Sequence, residues 1–145
     1  MDTKRRRGFT LIELLLVLVI LAALSAIVVP KFSNRSKDAK VTAAKTDIAN
    51  LEVALDSFEI DTGRYPTTTE GIRALVIEPS NTNENDWKGP YLKRGVPKDP
   101  WQNEYVYKYP GQYNEYGYDL YSYGPDGIQD TEDDIQNWSE DQYRR

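Results

Sequence analysis

The chain has 145 residues, room for one modest domain plus an extension, and its eleven tyrosines and three tryptophans belong to a folded region. Its net charge is −5, with the acids gathered towards the C-terminus and no basic stripe to meet a phosphate backbone, which argues against nucleic-acid binding. It has neither cysteine nor histidine, which excludes disulfides, Cys/His zinc sites, thiol nucleophiles and the usual general base.

Lys4, Arg5, Arg6 and Arg7 stand against Asp2 at the start, and residues 9–29 follow as FTLIELLLVLVILAALSAIVV, 21 residues with a single charge. As a helix this run is about 31 Å long, enough for the hydrocarbon core of a bilayer. The basic residues before it place the N-terminus in the cytoplasm and the rest of the chain outside. A secretory signal has its small-residue cleavage site after the apolar run. Here Ser25 and Ala26 lead into more apolar residues and Pro30, and the conspicuous small-residue boundary is Gly8, before the run. The membrane segment is therefore expected to be retained. Glu13 is its anomaly, since a carboxylate inside such a segment costs roughly 2.5–3.5 kcal/mol on insertion scales. It either snorkels to the nearby interface or finds a partner. Cleavage after Gly8 would supply one, the new amine of Phe9 on a neighbouring subunit.

The string Arg7-Gly8-Phe9-Thr10-Leu11-Ile12-Glu13 resembles the class III prepilin signal of type IV pilins and type II secretion pseudopilins. The resemblance implies a prepilin peptidase that cuts between Gly8 and Phe9 and methylates the amine of Phe9. In the same reading Glu13 matches the family's assembly glutamate and Pro30 its helix-perturbing proline.

Beyond Pro30, which bends or loosens a helix by removing one backbone hydrogen bond, the helical pattern resumes. Val41, Ala44, Ile48, Leu51, Leu55 and Phe58 step by threes and fours, an amphipathic stripe that packs a core. Lys37, Lys40, Lys45, Asp47, Asn50 and Glu52 fall away from it, and Gly63 is a plausible C′ residue. Residues 64–98 are loop-rich, with a capping box at Thr67-Thr68-Thr69-Glu70 for a short helix over 71–77 and an exposed loop at 80–86. Residues 105–109 and 118–123 read as strands joined by a hairpin loop at 111–117. The expected fold is α+β: a long N-terminal helix whose second half packs on a small antiparallel sheet, the arrangement the pilin resemblance also implies. Its segments are a leader at 1–8, a transmembrane and assembly helix at 9–29, an amphipathic continuation at 30–62, an αβ-loop at 63–100, and a sheet with a C-terminal loop at 101–145.

Gly63-Arg64-Tyr65-Pro66 through Leu75, Trp87-Lys88-Gly89-Pro90-Tyr91-Leu92, Val96-Pro97-Lys98-Asp99-Pro100-Trp101 and Tyr121-Ser122-Tyr123-Gly124-Pro125-Asp126-Gly127 look like blocks of the major pseudopilins. Gln102 stands where those proteins usually have glycine, and Pro125 where alanine is common. The tail Tyr143-Arg144-Arg145 has no counterpart.

Residues 122–134, SYGPDGIQDTEDD, crowd acids on a Gly/Pro-rich loop without the spacing of an EF-hand. Such a run is either a solvated turn or a hard-cation site. Ile128 and Ile135 bracket the acids as expected apolar anchors, and Trp138 follows. The pseudopilin resemblance implies a structural calcium ion, with ligands among Asp126, Asp133, Asp134 and Asp130 and a backbone carbonyl near Tyr123.

The resulting functional reading is a non-enzymatic subunit that polymerises with copies of itself into a helical secretion filament. The resemblance implies minor pseudopilins, an inner-membrane assembly platform, the prepilin peptidase and membrane lipid as partners, with the globular domain periplasmic. A type IV pilin for adhesion, motility or DNA uptake is the alternative. Many of those have a C-terminal disulfide loop, and this chain has no cysteine. A membrane-anchored enzyme with paired carboxylates finds no isolated acid pair in the sequence.

Overall fold

The structure, a computed structural model, describes residues 8–83 and 85–139, and of residues 27–34 only the helical backbone. The basic stretch at 4–7, Glu84 and the tail from 140, expected above as leader, loop and appendage, lie outside the described residues, as do the side chains of Pro30 and Lys31. Helix α1, Leu11–Thr62, holds 52 residues and passes through Pro30 without a break in its assignment. At its end Gly63 takes φ 73°, and its N–H donates to the Glu59 carbonyl at 2.7 Å. Only glycine adopts that left-handed geometry without Cβ strain, so the helix stops there.

The chain divides into two units, Met1–Asp38 and Ala39–Arg145. In the first, every described side chain is exposed, including Leu11 at 77% and Ile12 at 75%. Among the described residues no helix is long and apolar enough to cross a membrane. The apolar run of 9–29 is described with its side chains only as far as Ala26, so its spanning role rests on the sequence.

The second unit has its own core. The expected stripe delivers Ala44, Ile48, Leu51, Leu55 and Phe58 buried, with Ala54 joining them and Val41 packed at the edge. Full burial of a Leu or Phe side chain is worth about 1.5–3 kcal/mol, so Leu51, Leu55 and Phe58 dominate the helix's contribution. Against them lie Ile72, Leu75, Tyr105, Tyr107, Tyr118, Leu120 and Ile135.

The sheet is antiparallel in the order β1 (Val106–Lys108), β2 (Asp119–Ser122), β3 (Ile135–Gln136). Val106 pairs with Tyr121, and Tyr121 in turn with Gln136. The first two strands fall where the alternating pattern places them. The third is absent from the sequence expectation, because two residues carry no periodicity.

The capping box is real but serves a different element. The Thr67 N–H donates to Glu70 Oε2 at 2.7 Å, and the Glu70 N–H to Thr67 Oγ1 at 3.2 Å, closing a turn. The following element is a single 3-10 turn, Ile72–Leu75, preceded by Gly71 with no side-chain cap. The expected helix over 71–77 is shortened because Gly71, at φ 59° and ψ −167°, leaves the helical region between the capped turn and Ile72. Glu70 also pairs with Arg64 through bonds of 2.7 and 2.8 Å. That arrangement holds the Glu70 carboxyl down at about 2, chiefly through the Arg64 hydrogen bonds.

Candidate functional site

Two places carry the candidate residues. The first is the start of α1. Gly8 has open space around it and Phe9 is 84% exposed, so the bond between them is accessible. Thr10 and Glu13 form a reciprocal cap that the sequence reading passed over, although Thr10-x-x-Glu13 is its signature. Thr10 N–H and Oγ1 both donate to Glu13 Oε2, at 3.1 and 3.2 Å, and Glu13 N–H donates to Thr10 Oγ1 at 3.3 Å. The carboxylate thus folds back on the helix's first turn, where the helix dipole also favours negative charge. Thr10 holds Glu13 beside the residue whose amine the proposed cleavage would free.

The second place is the acidic loop, which the unexpected third strand turns into the β2–β3 hairpin connection. That pairing returns Asp133 and Asp134 alongside Tyr123 and Gly124. Gly124 has φ 66°, and a Cβ there would run into the backbone carbonyl of Asp133, so the two arms of the loop touch. Asp126 Oδ1 accepts from the Ile128 N–H at 2.8 Å, and the Asp126 N–H donates to Asp133 Oδ2 at 3.3 Å. Thr131 Oγ1 donates to Asp133 Oδ1 at 2.7 Å, and the Asp130 N–H, from a residue at φ 63°, donates to Asp134 Oδ2 at 2.9 Å. The Thr131 bond is the main reason the Asp133 carboxyl lies below its ordinary range, while burial raises that of Asp134.

Hence Asp126, Asp130, Asp133, Asp134 and Tyr123 share one loop. Among the described residues, however, no three carboxylates converge as a metal cluster. In this loop Asp134 Oδ1 is buried and accepts no hydrogen bond from the described residues. Hard oxygen donors on a tight loop, with a buried acceptor left over, suit a hard cation completed by backbone carbonyls. Of the expected anchors, Ile135 is buried in the core, but Ile128 is 60% exposed and anchors nothing. It lies in the turn that Asp126 closes by accepting its N–H. Trp138 instead stacks on Tyr113 at 4.4 Å and meets the Tyr121 ring edge-on at 5.5 Å.

Two buried carboxylates outside these places fix the scaffold. Asp119 accepts backbone N–H bonds from Gln112, Tyr113 and Asn114, which shapes the β1–β2 loop. Asp99 accepts from the N–H groups of Trp101 and Asn103 and from Ser122 Oγ at 2.6 Å, tying the turn at 98–104 to β2.

Residues 31–138 match the family described as type II secretion system (T2SS), protein G, and residues 3–29 match the prokaryotic N-terminal methylation motif. A type II secretion system core protein G of Dickeya chrysanthemi is 44% identical over 94% of this chain and 88% of its own length. That of Pseudomonas aeruginosa is 45% identical over 95% and 99%. The crystal structure of the major pseudopilin from the type 2 secretion system of enterohaemorrhagic Escherichia coli covers 72% of this chain and 87% of its own, with a TM-score of 0.63 at 40% identity. The helix-on-sheet architecture, the N-terminal motif and relatives matched over nearly their whole length agree, and the chain belongs to the type II secretion system protein G family.

Proposed function

We propose that this chain is the major structural subunit of a type II secretion pseudopilus, processed at Gly8–Phe9, methylated on Phe9 and assembled through its N-terminal helix. The observation that carries this reading is an α1 start whose described side chains are all exposed and apolar apart from a few polar groups, among them the capped Glu13, while the second unit completes a core by itself. A surface of that kind finds its cover in lipid before assembly and in identical neighbours after it. The protein does no chemistry of its own in this reading. Its partners are other copies, minor pseudopilins, the inner-membrane assembly platform and the prepilin peptidase, and its globular domain is periplasmic.

A structural calcium ion in the acidic loop belongs to the same proposal. Asp126, Asp133 and Asp134 would hold it, with Asp130 and a carbonyl near Tyr123 as further donors. The ion would supply positive charge to a segment where carboxylates otherwise crowd one another. The buried, unpartnered Asp134 Oδ1 supports this.

Intact mass of the mature protein tests the processing step: loss of residues 1–8 plus one methyl group is expected. A mature chain that retains Arg7, or one that starts after Val29, contradicts it. Glu13→Ala should enter the membrane at least as readily as the parent, because an intramembrane carboxylate is gone, yet yield few filaments. Parental filament yield from that variant would remove Glu13 from assembly. The alternative, a surface pilus, predicts external filaments by negative stain at native expression.

A further inference from the structure

Tyr121 is 4% exposed, and its hydroxyl is buried with no hydrogen-bond partner among the described residues. Tyr123 packs edge-on against its ring at 5.7 Å, but no hydrogen bond of acceptable geometry joins the two hydroxyls. The β2–β3 register places Tyr121 opposite Gln136, so Asp134, two residues earlier, lies on the same face one diagonal step away. Asp134 Oδ1 is likewise buried and unpartnered.

A proton donor and a carboxylate oxygen thus sit on one sheet face, each lacking a partner. A phenylalanine would pack against Trp138 and Tyr123 just as a tyrosine does, without a buried hydroxyl to satisfy. The hydroxyl therefore costs stability unless another state of the loop uses it. We propose that Tyr121 is a positioning residue for the calcium loop, its hydroxyl donating to the ligand shell of the bound ion on the Asp134 side. This rests on the calcium reading given above and adds a residue outside the acidic run. With the ion bound, Asp134 would be one of its donors, and the Tyr121 hydroxyl would hold that carboxylate in place from behind. Second partners of this kind orient ligands and sharpen affinity without touching the metal.

The test uses the full chain in detergent micelles, stripped with chelator and titrated with calcium chloride by calorimetry, as the parent, Tyr121→Phe and Asp134→Asn. Tyr121→Phe should weaken calcium binding about tenfold, the worth of one hydrogen bond to a charged group. In chelator it should melt at or above the parent, because the unsatisfied hydroxyl is gone. Asp134→Asn should lose most calcium binding. If the parent binds calcium and Tyr121→Phe binds it equally well, the Tyr121 role is overturned while the calcium site stands. A Tyr121→Phe chain that melts well below the parent in chelator also overturns it, since the hydroxyl then serves the metal-free fold. If the parent itself gives no calcium heat, the calcium reading fails, and this inference with it.

Discussion

Replacing Asp119 by asparagine tests how the β1–β2 loop is held. The carboxylate is 1% exposed and is the acceptor for three successive N–H groups: Gln112 at 2.6 Å, Tyr113 at 3.1 Å and Asn114 at 2.9 Å. Among the described residues, its hydrogen-bond donors are these backbone N–H groups. Hydrogen bonds to a charged acceptor contribute about 1.5–3 kcal/mol each, which sets an upper range of about 5–9 kcal/mol for the three. The loop is on the surface, and relaxation lets water reach part of this set, so about 3 kcal/mol is the expected loss in Asp119→Asn. The amide keeps one acceptor oxygen and the volume but turns an NH₂ group towards N–H donors. Urea unfolding of the full chain in micelles measures the change as a shift in midpoint at constant slope. Asp119→Ala should cost more, because it removes both oxygens and leaves the three N–H groups without an acceptor. If either variant loses less than about 1 kcal/mol, the three bonds are not what shapes the loop.

Glu70 makes stability depend on pH in a fixed direction. Its folded pKa of about 2 lies below the ordinary 4.5, so its contribution is complete above about pH 5 and disappears as pH falls through 2. The gap between the parent and Glu70→Gln, at most about 3 kcal/mol at pH 7, should close across that window, and a gap independent of pH would refute the pairing with Arg64. Gln102, at φ 75°, occupies the left-handed region that favours glycine. Gln102→Gly should therefore stabilise the chain by about 1 kcal/mol in the same urea assay, and a loss would mean the turn at 98–104 depends on the side chain. Chelation should lower the melting temperature and calcium restore it, with Asp126→Ala melting like the chelated parent. A saturating ion a hundredfold above its Kd adds about 2.7 kcal/mol, and an unmoved melting curve would leave the loop a plain acidic turn.

Much of this protein follows from order along the chain. The helix, its buried stripe from Ala44 to Phe58 and its stop at Gly63 are set by spacing and by one residue's backbone freedom, both local properties. The strands around Tyr107 and Leu120 show the same legibility, since alternation is also local. The prepilin-like string and the acids of the loop could be named for the same reason.

Tertiary structure decided the rest. A two-residue third strand has no period to detect, yet its pairing with β2 brings Asp133 back to Gly124 and leaves Asp134 on the face of Tyr121. The capping box at Thr67 and Glu70 could not reveal that Arg64 would share the same carboxylate, or that Gly71 would turn out of the helical region and leave only a 3-10 turn behind it. Ile128 looked like an anchor by composition, but the turn that Asp126 closes leaves it in solvent. Asp47 and Glu52 fall off the apolar stripe, yet they receive hydrogen bonds from Tyr105 and Asn137, which lie 58 and 85 residues away in sequence. Local pattern reports what a residue prefers. Which distant group satisfies it depends on pairings that exist only once the sheet has closed on the helix.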